Sequence, residues 1–241
     1  MHEFGQDPAL SRGAASGSEP YLSDHVAVVK NLEALRYWRT REEAARGLVK
    51  YGRVAVPGLL DALYEQNVGV RLQAGAALAA IGDQGAVEGL AGALWDEHPL
   101  VRQHAADALG QLGSARALED LFRVLDDDDV WVRQHAAAAL GHIGANHPEK
   151  ARQIVFALLD RSIDASVVRR AAVGALVRIG VAAVPALREA LHAARWTTRR
   201  AAADALAKIG QDAVPALLDT LNSSPHSGAQ RMAAWALDRI S

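Results

Sequence analysis

The sequence predicts an all-α fold, an α-solenoid that winds as a right-handed superhelix of about seven helix pairs. Half of the 241 residues are hydrophobic but only 5% are aromatic, a composition typical of closely packed helices. A thirteen-residue segment also recurs along the chain, and its apolar residues follow the period of a helix. Helix pairs this small must stack on their neighbours to bury their apolar faces, which is how a solenoid is built.

The recurring segment is clearest at residues 70–82, which read VRLQAGAALAAIG. The repeat units end near residues 52, 82, 113, 144, 180, 210 and 241. Six copies carry an arginine at the second position: Arg41, Arg71, Arg102, Arg133, Arg169 and Arg199. Gln230 takes that position in the last copy. The spacing between Arg133 and Arg169 is the longest, so we expect an enlarged connection around residues 145–148.

Each unit is expected to contain two helices, and the first helix is predicted at residues 24–37. Shorter apolar helices are predicted at residues 54–65, 86–95, 117–125, 184–191 and 214–221. Three of them have a proline in the first turn, where a missing N–H group costs little: Pro57, Pro185 and Pro215. The recurring segment forms the other helix of each unit. A glycine eleven residues after each repeated arginine is suited to end that helix with a positive φ.

Polar side chains are expected to cap these helices and to link the units. Asp, Asn and Ser residues precede the recurring segment, so we interpret the acidic run at residues 126–129 as an N-cap and a solvated loop rather than a cation site. We interpret the repeated arginine as structural. It would bridge to a carboxylate, such as Asp107 or Asp204, or to a loop carbonyl of the neighbouring unit.

The domain organisation is simple. Residues 1–21 contain Gly, Ser and Pro without periodicity, so we expect a flexible N-terminal leader before a single solenoid at residues 22–241. Cysteine is absent, which excludes disulfides, thiolate zinc sites, iron–sulfur clusters and a cysteine nucleophile. The net charge of −2 argues against a chain that is basic throughout. No apolar run of membrane-spanning length and no signal pattern are evident, so we expect a cytoplasmic protein without membrane contact.

The pattern V-R-x-x-A-A-x-A-L-x-x-I-G, followed by A-V-x-x-L-x-x-A-L, resembles HEAT repeats of the phycobilisome-lyase-like subtype. The resemblance covers roughly nine tenths of the chain. That family includes protein scaffolds, bilin lyases and metal-dependent hydroxylases, so the resemblance implies the fold more strongly than the function. It also implies that the non-core stripe of the recurring helices lines the concave face of the superhelix, the usual binding surface.

Residues on or beside this stripe are the candidates for binding a partner. Exposed tryptophans are typical interface anchors. Residues 1–164 carry 16 Lys and Arg against 23 Asp and Glu, whereas residues 165–241 carry 10 against 5. We therefore expect the C-terminal half to face an acidic surface on the partner. The predicted partner-binding residues are Trp131, Gln134, His135, His142, His104, Arg170, Arg178, Trp196, Arg200, Lys208, Arg231, Trp235 and Arg239.

The histidines raise the question of a metal site. His104 and His135 take the same position in adjacent units, and the hydroxylases of the family carry repeated His-Glu pairs. Here each histidine follows a glutamine and no glutamate follows it. We interpret the pair as a duplicated polar floor of the concave face. The sequence therefore predicts no metal ligand, no cofactor and no catalytic residue.

The leading hypothesis is a non-catalytic scaffold or adaptor that binds another protein on its concave face. The alternative is a bilin lyase-like or tetrapyrrole-handling protein. In that case Arg170, Arg200 or Arg231 would pair with propionates, and Trp131 or Trp196 would stack on the rings. Binding of nucleic acid or of another acidic partner by the basic C-terminal half is a lesser alternative, because nucleic-acid binders usually carry more excess charge. A small-molecule partner is not expected.

Overall fold

The computed structural model describes residues 19–160 and 166–240, and these residues form helices without a strand. We call the helices of the recurring segment the arginine helices. They are α2 (Arg41–Tyr51), α4 (Val68–Ile81), α6 (Pro99–Leu112), α8 (Val130–Asn146), α10 (Ser166–Ile179), α12 (Trp196–Ile209) and α14 (Ser227–Leu237). We call the others the opposite helices. They are α1 (Glu19–Ala34), α3 (Val56–Ala62), α5 (Val87–Ala93), α7 (Leu118–Val124), α9 (Ala151–Asp160), α11 (Val184–Ala190) and α13 (Val214–Ser223).

Stacking of these pairs confirms the predicted all-α solenoid. Each arginine helix packs against the next one along the chain, from α2 to α14. One continuous core of alanine, valine, leucine and isoleucine runs between the two layers. Leu109 of α6 is fully buried in that core, as are its counterparts Leu78, Leu140 and Leu206. Burial of these repeated side chains is the main stabilising contribution to the stack.

The first helix begins earlier than the sequence suggested. α1 starts at Glu19, before the boundary at residue 22, and ends at Ala34 rather than at residue 37. A tight turn follows, in which the Thr40 hydroxyl donates a hydrogen bond to the Ala34 carbonyl at 2.9 Å. Residues 1–18 lie outside the described residues, and the predicted flexible leader falls mostly there.

Most predicted helix ends are confirmed. Pro57, Pro185 and Pro215 stand in the first turns of α3, α11 and α13. A short 3₁₀ turn precedes each of these opposite helices. The turn at Gly52–Ala55 moves the start of α3 from the predicted residue 54 to Val56, whereas α11 and α13 begin where they were predicted. A positive φ occurs where the pattern predicted it, at Gly52, Gly82, Gly113, Gly180 and Gly210.

Gly144 departs from that pattern, so the prediction for this unit is wrong. α8 continues through Gly144 to Asn146, and a 3₁₀ turn at Pro148–Lys150 follows. Gly144 is buried, and a Cβ atom there would lie 2.8 Å from Cγ1 of Ile179 in the next arginine helix. The glycine therefore makes room for a neighbouring side chain instead of ending the helix. The enlarged connection begins after this longer helix.

The repeated arginine is structural in the units where a carboxylate stands opposite it. Arg102 donates to the carbonyl of Asp96 at 3.0 Å and, through Nε and Nη2, to both carboxylate oxygens of Asp127 at 2.8 Å. Arg71 makes the equivalent pair with Asp96. The partners suggested from the sequence are wrong, because Asp107 and Asp204 lie five residues after the arginine, beyond the turn that faces the loop. Their nearest charged groups are on His135 and Lys208.

The acidic run is confirmed as a cap and a loop. The Asp129 carboxylate accepts hydrogen bonds from the amides of Trp131 and Val132 and thereby caps α8. Asp127 pairs with Arg102, and Asp128 is exposed. This arrangement satisfies the free amides of the first turn and joins adjacent units through one loop.

One apolar stretch reaches membrane-spanning length, although none was expected from the sequence. Ser166–Ala190 is apolar enough to cross a membrane by length and composition, with a mean hydropathy of 1.6. In the structure it comprises α10, a 3₁₀ turn and α11, and half of its most apolar window is buried inside the protein. A helix in a protein core passes the same test, so the solenoid interior accounts for these apolar residues.

Candidate functional site

The spacing of the two layers supports placing the arginine helices on the concave side. In that layer backbones approach closely, since a Cβ atom on Gly110 would lie 2.9 Å from Cα of Ala139. In the opposite layer a leucine side chain separates neighbouring helices, as Leu32 does at Gly58. A layer of more closely spaced helices forms the inside of a curve. We therefore call the exposed side of the arginine helices the concave face.

Two of the predicted tryptophans are half exposed on arginine helices. Trp131 and Trp196, in the first turns of α8 and α12, are 51% and 56% exposed. Their backbone positions are fixed by the loop-to-helix transition that begins each arginine helix. Trp95 is equally exposed, at 55%, but it follows the opposite helix α5. Exposed tryptophans therefore occur at both layers of helices. The position of each tryptophan in the repeat determines on which side of the solenoid it lies.

A cleft of about 380 Å³ opens between α10 and α12. Its lining residues are Arg169, Arg170, Val173, Trp196, Thr197, Arg200, Ala201, Asp204 and Lys208. Four of them, Arg170, Trp196, Arg200 and Lys208, were predicted from the sequence. The cleft combines one indole and small apolar side chains with four cations and one carboxylate, so its lining has a net charge of +3.

The cations of the cleft differ in their partners. Lys208 lies 3.2 Å from the Asp204 carboxylate, one helical turn earlier on α12. Arg169 and Arg170 are exposed and make no hydrogen bond or ion pair within the part of the chain that the structure describes. The cleft therefore presents guanidinium donors that have no protein acceptor there, which suits it to an anionic group.

Arg200 is held by the last helix. Its guanidinium carbon lies 3.9 Å from the centre of the Trp235 ring, and that of Arg239 lies at the same distance. Trp235 thus sits between two guanidinium groups, which stack on an indole favourably. This contact joins three of the predicted residues across adjacent units and holds the Arg200 guanidinium beside the cleft.

The predicted histidines form a separate polar group on α6 and α8. His135 Nδ1 lies 2.7 Å from Asp107 Oδ1, and this hydrogen bond raises the pKa of His135 although partial burial opposes it. His142 has a lowered pKa, caused first by partial burial and then by the positive charge of Arg178, with Asp107 opposing. His104 is exposed. Gln134 Oε1 is buried and has no hydrogen-bond partner among the described residues.

The predicted residues therefore do not form one compact site. They fall into a histidine group on α6 and α8, the cleft between α10 and α12, and the stack around Trp235. Arg231 lies on α14 outside the residues that line the cleft. In residues 19–160 and 166–240, no group of three or more His, Asp or Glu side chains is placed to hold a metal ion.

Three polar residues that line the cleft were not predicted from the sequence: Arg169, Thr197 and Asp204. Arg169 was assigned to the structural arginines because of its repeat position. The sequence does distinguish Arg169 from Arg102. The ion-pair partner of Arg102 is Asp127, which lies six residues before the next repeated arginine, Arg133. The corresponding residue opposite Arg169 is Ala193, so the next loop offers no carboxylate there.

Comparison with known proteins agrees with this helical-repeat architecture. The family of HEAT repeats matches residues 90–176 and 157–238, which together make up more than half of the chain. The protein therefore belongs to the HEAT-repeat family. No curated protein matches the sequence.

Several solved structures are similar to this chain. The complex of CpcE and CpcF of phycocyanin lyase from Nostoc sp. PCC7120 is 29% identical, with a TM-score of 0.57, over 62% of this chain and 98% of that chain. An archaeal HEAT-like repeats protein from Thermococcus onnurineus NA1 is 15% identical, with a TM-score of 0.50, over 88% and 96%. Kap121p is 14% identical, with a TM-score of 0.60, over 90% of this chain and 29% of its own. The last two similarities show the fold alone.

Proposed function

We propose that this protein is a non-catalytic scaffold or adaptor that binds another protein on its concave face. The observation that carries the proposal is the cleft between α10 and α12, where Trp196 stands beside guanidinium groups that have no acceptor in the described part of the chain. Tryptophan and arginine are the residues most enriched among the energetic anchors of protein interfaces.

The rest of the concave face supports the same function. Trp131 gives a second exposed indole on an arginine helix, and the histidine group gives polar contacts on the units before the cleft. Each rigid unit is held by its neighbours, so these side chains are presented on a preformed surface. A preformed surface loses little conformational entropy when a partner binds.

A pull-down from the native lysate, read by mass spectrometry, tests this proposal with three variants of the full chain. Trp131→Ala and Trp196→Ala remove indoles from the concave face. Trp95→Ala is the matched control, because it removes an equally exposed indole beside an opposite helix. We expect a protein that is retained by the wild type and by Trp95→Ala, and that is lost or strongly reduced in the other two variants. Equal retention by all of them would refute the proposal.

A tetrapyrrole-handling function is the second candidate, because the complex of CpcE and CpcF of phycocyanin lyase is similar to this chain. The cleft offers Arg170 and Arg200 for two propionates and Trp196 for stacking on a ring. This function predicts visible absorbance in protein purified from its native source, and loss of that absorbance in Trp196→Ala. Colourless protein that also fails to bind added bilin would exclude it.

A further inference from the structure

We infer that the cleft between α10 and α12 binds an acidic peptide segment of the partner, in which an apolar residue lies between carboxylates. This inference rests on the proposed function and specifies the chemistry of the partner at one place. It follows from the surroundings of the three arginines of the cleft and from its apolar lining.

Arg169 is the first element, because the ion pair that Arg71 and Arg102 make has no counterpart for Arg169 among the described residues. Arg102 is buried against Asp127 and its guanidinium donors are used within the protein. Ala193 stands where a carboxylate would meet Arg169, and Arg169 lines the cleft instead. An arginine with no internal carboxylate at this repeat position is available to a carboxylate from outside.

Arg170 and Arg200 form the second element, one on each wall of the cleft. The Arg200 guanidinium lies over the Trp235 ring, and this contact uses none of its N–H groups in a hydrogen bond to an oxygen. No acceptor for those groups occurs in the part of the chain that the structure describes. A guanidinium held by stacking loses less freedom when it forms a bidentate pair with a carboxylate.

The apolar lining is the third element. Val173 and Ala201 are buried side chains of facing helices, and Trp196 stands half exposed beside them. A fully hydrated anion would gain nothing from the exposed indole of Trp196, whereas an apolar side chain would cover it and exclude water from the charge pairs. The cleft therefore fits an occupant that carries both kinds of group.

Charge decides between a peptide and a nucleic acid. Four of the ten Lys and Arg residues of the segment 165–241 line the cleft, and Asp204 stands among them. The acidic loop at residues 126–129 precedes the neighbouring arginine helix α8, and residues 1–164 have a net charge of −7. A phosphate backbone needs a longer basic track than this and would be repelled beyond it. A short acidic peptide needs only the cleft.

Selection from a random peptide library displayed on phage, with the full-length protein as bait, tests the inference. We expect selected peptides to have Asp or Glu on both sides of an apolar residue. Arg170→Glu should weaken their binding at least about tenfold, since a charge-assisted hydrogen bond is lost and replaced by repulsion. Arg188→Glu is the matched control, because Arg188 is an exposed arginine of the same basic segment that lies on the opposite helix α11 and does not line the cleft. It should change binding less than about twofold.

The outcomes separate this inference from the proposed function. Selected peptides that compete with the partner and require Trp131 or Trp196 for binding would support the scaffold function. If such peptides are not acidic, or if they bind Arg170→Glu as well as the wild type, the inference is overturned and the scaffold function stays intact. Failure to select any peptide would also overturn the inference. So would binding of a single-stranded oligonucleotide that Arg170→Glu abolishes while no acidic peptide binds. Partner binding that is weakened by neither Trp131→Ala nor Trp196→Ala would overturn the proposed function itself.

Discussion

Asp127 and Asp128 both pair with Arg102, yet their surroundings differ greatly. The side chains of Arg102 and Asp127 are 12% and 9% exposed, whereas Asp128 is 92% exposed. Burial opposes ionisation of Asp127, but hydrogen bonds from Arg102 and from the Asp129 amide outweigh it and hold the pKa of Asp127 below its usual value. The buried pair therefore links two units, while the exposed pair is screened by water.

This difference predicts opposite results for two identical substitutions. Asp127→Asn should lower the free energy of unfolding by about 2–3 kcal/mol, because it leaves a mostly buried guanidinium with only the exposed Asp128 carboxylate as a charged partner. Asp128→Asn should cost less than about 0.5 kcal/mol. Urea denaturation measures both. The pKa of Asp127 is depressed in the folded state, so its contribution is present above about pH 4 and is lost as the pH falls further. Equal costs for the two variants would contradict the assignment.

The ion pair of His135 and Asp107 predicts a dependence of stability on pH. The pKa of His135 is raised in the folded state, so the pair stabilises the protein fully below the ordinary histidine pKa of about 6.5. Its contribution is lost as the pH rises through the folded pKa. The side chains are 29% and 43% exposed, so we expect only about 0.5 kcal/mol. His135→Gln should therefore cost more at about pH 5.5 than at about pH 8.5 in urea denaturation.

His104 provides the control for that measurement. It has the same repeat position as His135, but Ala76 stands where Asp107 stands for His135. His104→Gln should therefore have the same small effect at both pH values. A pH dependence of equal size in the two variants would show that the ion pair with Asp107 is not its origin.

At the scale of the helix, two glycines of the arginine helices have opposite surroundings. A Cβ atom on Gly141 of α8 would lie 2.6 Å from Cα of Ala175 in α10, so one of the helices would have to move. A Cβ atom on Gly174 of α10 would meet nothing within 4 Å. The first glycine permits close packing of helices, whereas the second has no such role.

The same substitution should therefore change stability in opposite directions. Gly141→Ala should destabilise the protein by roughly 1–3 kcal/mol through overpacking. Gly174→Ala should stabilise it by up to about 1 kcal/mol, because alanine favours the helix. Thermal and urea denaturation of the two variants measure this. Destabilisation by both would mean that helix spacing on the concave face does not depend on Gly141.

The helices were predictable because stacking repeats the same apolar stripe in every unit. Val70 and Val101 mark the same buried position, and a single sequence shows that periodicity directly. Gly144 was assigned wrongly because glycine serves two purposes, a positive φ and close packing, and the sequence does not separate them. The difference lies in the neighbouring unit, whose Ile179 approaches Gly144.

Only part of the site could be predicted, for a similar reason. Trp196 and Arg200 could be predicted from residue type and from their positions outside the apolar stripe of their own helix. The role of Arg169 depends on the next unit, where Ala193 replaces a carboxylate. The contact of Arg200 with Trp235 also joins two units. Such relations between units become visible only when the spatial register of the stack is known.

At the scale of the whole molecule, charge is divided along the chain. Residues 1–164 have a net charge of −7 and residues 165–241 one of +5, and the cleft with Trp196 lies in the basic part. Such a division orients a charged partner before contact and accelerates its association. Burial of an indole contributes only after the two proteins are in contact, so it should slow dissociation rather than speed association.

Binding kinetics with the partner recovered by the pull-down should separate these two contributions. Trp131→Ala should mainly speed dissociation, by about thirtyfold if the indole is an anchor of 2 kcal/mol or more, and this effect should hardly depend on salt. Arg200→Glu should mainly slow association, because it reverses one charge of the basic part. The slowing should shrink as salt rises, since exposed charges are screened over about 8 Å at physiological ionic strength. Surface plasmon resonance at low and high salt measures both rates, with Trp95→Ala as the control. Wild-type kinetics for Trp131→Ala and Arg200→Glu would place the partner on another surface, because a ligand on the concave face would encounter the indole or the charge.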